Sequence, residues 1–195
     1  MNRYFKIFKP FHVLSQFTPQ DDKLSLKNFF KVPSNAYPVG RLDYDSEGLL
    51  ILTDDKKLNE LLLHPRHGHK REYWSQVEGI PNEEQLSQLT NGPVINVNGK
   101  KHKTQKCTAQ IFEPLFLPER NPPIRFRKNI ADTWIKIILS EGKNRQVRKM
   151  TAAVGLPTLR LIRYAIEDLT IENMHPGDCV EISKQEIYNL LHIKM

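Results

Sequence analysis

Apolar positions along this chain switch between a period of two and a period of about 3.6, and the switches mark its elements. Tyr4-Phe5-Lys6-Ile7-Phe8 alternates and predicts a strand that Lys9-Pro10 ends. The stretch 11–38 is mixed, with a short helix predicted around 24–30. Residues 49–53 form a continuous apolar run between Gly48 and Asp54-Asp55, a length that suits a strand buried on both faces. The segment 56–63 predicts a helix with Leu58, Leu61 and Leu62 on one face. Thr53, Asp54 or Asp55 caps its start, and Pro65 lies just past its end.

Alternation returns over 72–78, with Tyr73, Ser75 and Val77 on one side and Trp74, Gln76 and Glu78 on the other. Asn82 and Gln85 form a capping-box pattern that opens a short helix ending near Gly92. The polar stretch 94–106 carries Asn98-Gly99, a hairpin-turn signal. Arg120-Asn121-Pro122-Pro123 excludes a central strand or helix interior. Residues 134–139 and 159–166 read as strands, 144–154 as a helix stopped by Gly155, and Ser183 with Glu186 caps a last helix to about 191. Strands and helices intermix without a βαβ rhythm. The expected class is therefore α+β, with a mixed or mostly antiparallel sheet flanked by helices, as one compact domain over 1–195 of one or two lobes.

Charge narrows the function. Lys and Arg number 29 against 22 Asp and Glu, a net charge of +7 over 195 residues. Such a balance favours a nucleic-acid partner, because basic side chains release counterions from its phosphates. No apolar run approaches the roughly 20 residues that span a bilayer, and the start lacks a signal-peptide core. No membrane partner and a cytoplasmic location are expected. The two cysteines, Cys107 and Cys179, have no partner spacing, which agrees with a reducing compartment.

The chemistry concentrates in two strings. Gly40-Arg41-Leu42-Asp43-Tyr44-Asp45-Ser46-Glu47-Gly48-Leu49-Leu50 sets a carboxylate, Asp43, beside Arg41 on a tight connection at the mouth of a buried strand. Taken alone, Asp43 fits a turn carboxylate bonding nearby amides as well as a nucleophile. Glu141-Gly142-Lys143-Asn144-Arg145-Gln146-Val147-Arg148-Lys149-Met150 crowds cations around the first turns of the predicted helix, where free amides favour phosphate. A solvated basic face is the plainer reading of the same residues. His64, His67 and His69 suggest a metal site, but Pro65 and Gly68 break any helix and no acidic or cysteine shell completes it. No dinucleotide or phosphate-loop glycine string occurs.

Over consecutive residues the first string resembles the active-site motif of the pseudouridine synthases, in the small-subunit-A branch that modifies ribosomal RNA. The second resembles that family's third motif, and Arg71-Glu72-Tyr73-Trp74-Ser75-Gln76-Val77 resembles its Lys-x-Tyr-x-Val strand, with Arg71 for lysine and Ser75 for valine. Lys9-Pro10 resembles the short first motif, with His12 where glycine is usual. The resemblance implies that Asp43 is the catalytic residue, Arg148 its ion-pair partner and Tyr73 the ring that packs against the target uracil. It implies RNA contacts from Arg41, Lys143, Asn144, Arg145 and Lys149, and no added cofactor. Lys9-Pro10-Phe11-His12-Val13-Leu14-Ser15-Gln16-Phe17 and Arg120-Asn121-Pro122-Pro123-Ile124-Arg125 look like members that act on 23S rRNA of the large subunit. A tRNA or other rRNA uridine stays open as the substrate. The chain starts almost at the first catalytic strand, so the small RNA-binding module that many relatives carry ahead of it is not expected. A monomer is.

The implied reaction converts a uridine's C–N glycosidic link into a C–C link. The base must leave the stack, at a few kcal/mol, before it detaches, rotates and reattaches. A guanidinium near the carboxylate keeps it ionised and oriented once RNA excludes water. A non-catalytic ribosomal RNA-binding protein is the competing class. Asp43, Tyr73 and Arg148 standing together argue against it, because a decayed site would lose one.

Overall fold

The computed structural model describes residues 2–124 and 131–194; Arg125, the last residue of the 120–125 string, lies outside them. Two compact units share the chain: Met1–His69 with Arg163–Met195, and Lys70–Ile162.

In the first unit, chain order runs β1 (Tyr4–Lys9), β2 (Val13–Leu14), β3 (Leu24–Ser25), β4 (Tyr37–Pro38), β5 (Glu47–Thr53) and α1 (Lys56–Leu63). The second unit follows with β6 (Arg71–Glu78), α2 (Glu83–Thr90), β7 (Val94–Val97), β8 (Lys100–Lys103), β9 (Thr108–Ile111), β10 (Asp132–Leu139) and α3 (Gln146–Ala153). Strand β11 (Thr158–Ile166) leads the chain back, and β12 (Leu169–Thr170), β13 (Cys179–Ile182) and α4 (Lys184–Leu190) complete the first unit. The class is α+β, and apart from the short parallel pair β2–β3 the registers below are antiparallel.

The first unit is organised by β5. All seven of its residues are buried, as a strand covered on both faces requires. Strand β1 lies between β13 and β5, and its register sets Phe8 opposite Leu49 and Lys9 opposite Gly48. Phe5, Ile7, Val13, Leu26, Phe30, Leu50 and Leu52 form the core, each side chain contributing about 1.5–3 kcal/mol on leaving water. Helix α1 begins where the sequence placed it. The Asp55 carboxylate accepts the Lys57 and Leu58 N–H groups, and its other oxygen accepts from the buried hydroxyls of Tyr4 and Tyr188. The helix expected around 24–30 is instead strand β3 followed by a single 3-10 turn, Leu26–Asn28. Pairing of Val13 with Leu24 and a bond from Leu26 N–H to the Gln16 carbonyl draw this stretch away from helical geometry.

In the second unit, β10 pairs with β6 along its whole length and with β9. The capping box at Asn82 and Gln85 opens α2. Asn98 and Gly99, both at positive φ, join β7 to β8. Among the described residues, eleven buried ones from Val77 to Leu161 form this unit's core, and Tyr73 packs partly buried against them.

Candidate active site

Asp43 sits on a short connection that buried contacts hold at both ends. Val39 N–H donates to the Ile51 carbonyl at 2.8 Å, tying the approach to β5. Leu42 is clamped by one hydroxyl: its N–H donates to Ser15 Oγ at 3.0 Å, and Ser15 Oγ donates to its carbonyl at 2.8 Å. Ser46 N–H then closes a turn onto the Asp43 carbonyl at 3.0 Å. Asp43 is half-buried and Arg41 exposed, whereas Leu42, Ser46 and Glu47 are buried. Gly48, at φ +109°, lets the Arg163 backbone approach; a Cβ there would lie 2.3 Å from the Arg163 carbonyl oxygen.

Beneath the connection lies Lys9, fully buried at the end of β1. Its Nζ donates to the Pro10 and Val13 carbonyls at 2.8 and 2.7 Å. Burial pushes its pKa down to about 7, against the upward pull of Glu47, Asp45 and Asp43, while Arg163 adds to the depression. Arg163, also buried, donates from Nε to the Leu49 carbonyl at 2.8 Å. Sequence reasoning gave no role to Ser15, Glu47 or Arg163, and it read Lys9 as a strand stop and as part of a string resembling the family's short first motif, not as a buried cation. The available signal for Lys9 was a lysine at a strand position otherwise filled by apolar residues.

The second unit carries the remaining candidates. Tyr73 lies on β6 opposite Ile137. Its neighbour Ser75 is fully buried, with Oγ 3.0 Å from Thr158 Oγ1. Helix α3 starts at Gln146, not 144, because Arg145 takes a left-handed conformation at φ +52°. Lys143, Asn144 and Arg145 therefore stand on the exposed approach loop, not in the first helical turn. The half-buried Glu141 organises that loop. It accepts from Gln146 Nε2 at 2.8 Å and from Gln105 N–H at 3.2 Å, and it meets His102. Burial opposes its charge, but those hydrogen bonds prevail and hold its carboxyl below the usual range. Gln146 Oε1 in turn accepts the Lys143 N–H at 2.8 Å. Arg148, half-buried on α3, donates to the Thr158 carbonyl at 3.3 Å, and Lys149 reaches Asn144 Oδ1 at 3.3 Å.

Within the first unit Arg41 and Asp43 share one connection. Within the second, Lys143, Asn144, Arg145, Arg148 and Lys149 share one loop-and-helix start. The three histidine rings neighbour one another, with centroids 5.9 Å apart for His64 and His67 and 6.1 Å apart for His67 and His69, while His69 is buried with Nδ1 3.4 Å from Glu167. Among the described residues no group of three or more His, Cys, Asp and Glu could hold a metal ion. What the residues offer is a braced carboxylate and a separate cationic loop, suited to acid–base or nucleophilic work on a polyanion.

Known proteins resemble this chain over most of its length. The family model for RNA pseudouridylate synthase matches residues 3–153. A Vibrio parahaemolyticus protein named ribosomal large subunit pseudouridine synthase E is 44% identical over 93% of this chain and 74% of its own length. One of the same name from Xanthomonas axonopodis is 46% identical over 86% of this chain and 87% of its own length. A crystal structure of a pseudouridylate synthase superposes with a TM-score of 0.78 at 25% identity, covering 97% of this chain and 74% of that one. The chain belongs to the RNA pseudouridylate synthase family.

Proposed function

We propose that this isomerase converts one uridine of large-subunit 23S ribosomal RNA into pseudouridine, with Asp43 as the carboxylate that meets the everted nucleoside. The observation that carries the reading is the identity of 44% and 46% to relatives whose name specifies the large ribosomal subunit. In the reaction, the bond from the ribose anomeric carbon to N1 breaks. A bond from the same carbon to C5 forms, the C5 proton leaves, and N1 takes up a proton in its place. Atoms balance without any outside reagent, so the step asks only for a carboxylate, a cation and a closed pocket.

In this reading Arg148 is the ion-pair partner that keeps Asp43 anionic against RNA, and Tyr73 packs against the uracil. Arg41, Lys143, Asn144, Arg145 and Lys149 hold phosphates and so position the strand without selecting its sequence. The enzyme works as a monomer in the cytoplasm; among the described residues no helix is long and apolar enough to cross a membrane.

Mapping pseudouridines in ribosomal RNA by carbodiimide primer-extension stops, with and without the gene, tests the substrate. One large-subunit stop should vanish without the gene and return with the wild-type copy. The Asp43→Asn copy should not restore it, although the protein's RNA affinity stays within about tenfold, because one carboxylate adds little to phosphate binding. Restoration by Asp43→Asn would defeat the assignment of Asp43. A lost stop in tRNA instead would defeat the 23S reading.

A further inference from the structure

We propose that Phe11, His12 and Tyr44 form a stacking platform for a nucleobase of the RNA strand next to the target nucleotide, a role that rests on the function proposed above. The His12 ring stacks on both neighbours. Its centroid lies 3.8 Å from that of Phe11 with the planes 24° apart, and 4.7 Å from that of Tyr44 with the planes 6° apart. Lys23 Nζ stands 5.7 Å from the centre of the Tyr44 ring. Three near-parallel rings with a cation at one end match the chemistry by which proteins hold single-stranded RNA.

These rings do not serve the apolar core of their unit. Val13 and Phe17, from the same segment, pack into that core, but Phe11, His12 and Tyr44 are outside it. His12 is exposed, and Phe11 and Tyr44 are half-buried. His12 also holds φ +55°, a left-handed backbone that glycine enters at least cost. An imidazole is therefore displayed at a position where core packing gives it nothing. Tyr44 directly follows Asp43 in the chain, so a strand that delivers a uridine to Asp43 carries an adjacent nucleotide toward this platform. The net charge of +7 favours a polyanion over an apolar peptide as the occupant.

Two probes of matched charge test the platform: hexauridylate, and a hexamer of the same sugar–phosphate chain without bases. Wild-type protein should bind the first about tenfold more tightly at fixed salt. His12→Gly suits the backbone and removes the ring; His12→Asn tolerates the left-handed conformation and also removes it. Both variants should shrink that ratio several-fold while melting close to wild type and keeping affinity for the abasic hexamer. Tyr44→Phe should preserve the ratio. An unchanged ratio in both His12 variants overturns the platform, and a lowered melting temperature with an unchanged ratio identifies the stack as packing alone. Asp43→Asn separates the two proposals. A fully active Asp43→Asn enzyme ends the catalytic assignment, whereas the platform stands or falls on the binding ratio.

Discussion

Two glycine-bearing connections, one in each unit, are built in opposite ways. Around Asp43, Leu42 is held by Ser15 on both its backbone groups, and Ser46 and Glu47 are buried. A Cβ on Gly48 would press within 2.3 Å of a backbone oxygen. In the cationic loop, residues 142–145 are exposed, and a Cβ on Gly142 would meet nothing within 4 Å. Only its base is anchored, through Glu141 and Gln146. The difference suits the two roles proposed for these connections. Chemistry at a glycosidic bond needs a carboxylate held within a fraction of an ångström, whereas phosphate contacts tolerate motion because their attraction falls off gently with distance.

The largest predicted effect strikes the braced side. Gly48→Ala combines a forbidden backbone conformation with a clash against rigid backbone and should cost more than about 3 kcal/mol, leaving little folded protein. Gly142→Ala should stay within about 0.5 kcal/mol. Urea unfolding of the pair measures both, and equal midpoints would break the contrast.

Lys9 gives the next effect through pH. Its folded pKa of about 7 lies below the ordinary 10.5 of an unfolded lysine. Between those values the unfolded chain binds more protons, so stability rises with pH across that window. Below about 7 the lysine is charged in both states and the full cost of burying it remains. The rise attributable to Lys9 is on the order of 5 kcal/mol. Lys9→Met should flatten that part of the profile, read as the difference between wild-type and variant denaturation midpoints from pH 7 to about 10. A parallel pair of profiles would show that Lys9 does not titrate on unfolding.

Ser15→Ala comes third. It strips a buried N–H and a buried carbonyl of their shared partner, at a cost of about 2 kcal/mol. Because Leu42 precedes the proposed catalytic carboxylate directly, kcat should fall more than tenfold while affinity for hexauridylate holds. A loss confined to KM would place Ser15 in RNA binding instead.

How much of this was legible beforehand follows the same division. Helix α1 matched its expected bounds because one face carries Leu58 and Leu62 and Asp55 caps it locally. The hairpin at Asn98-Gly99 was equally local. Strand β5 was foreseen over 49–53 but starts at Glu47. A buried carboxylate reads as loop until tertiary structure brings Lys9 beside it. Helix α3 begins late because of one left-handed residue that sequence periodicity does not register. The strings around Asp43 and Arg148 were readable as a family pattern, yet the braces that hold Leu42 and Gly48 were not. Ser15 and Arg163 lie 27 and 114 residues from the atoms they hold, and no local rule spans such distances.

The smallest effect belongs to the exposed side and sharpens the comparison most. Lys143 stands on the open loop with its backbone N–H already engaged by Gln146. Lys143→Ala should therefore leave folding untouched and remove one phosphate contact, lowering affinity about two- to fivefold and reducing the slope of log affinity against log salt by about one. Single-turnover rate at saturating RNA should not move. Were that rate to fall as it does for Ser15→Ala, the cationic loop would be shaping the reacting geometry rather than gathering phosphate. The division between a braced carboxylate and a tolerant cationic loop would then fail at its softest point.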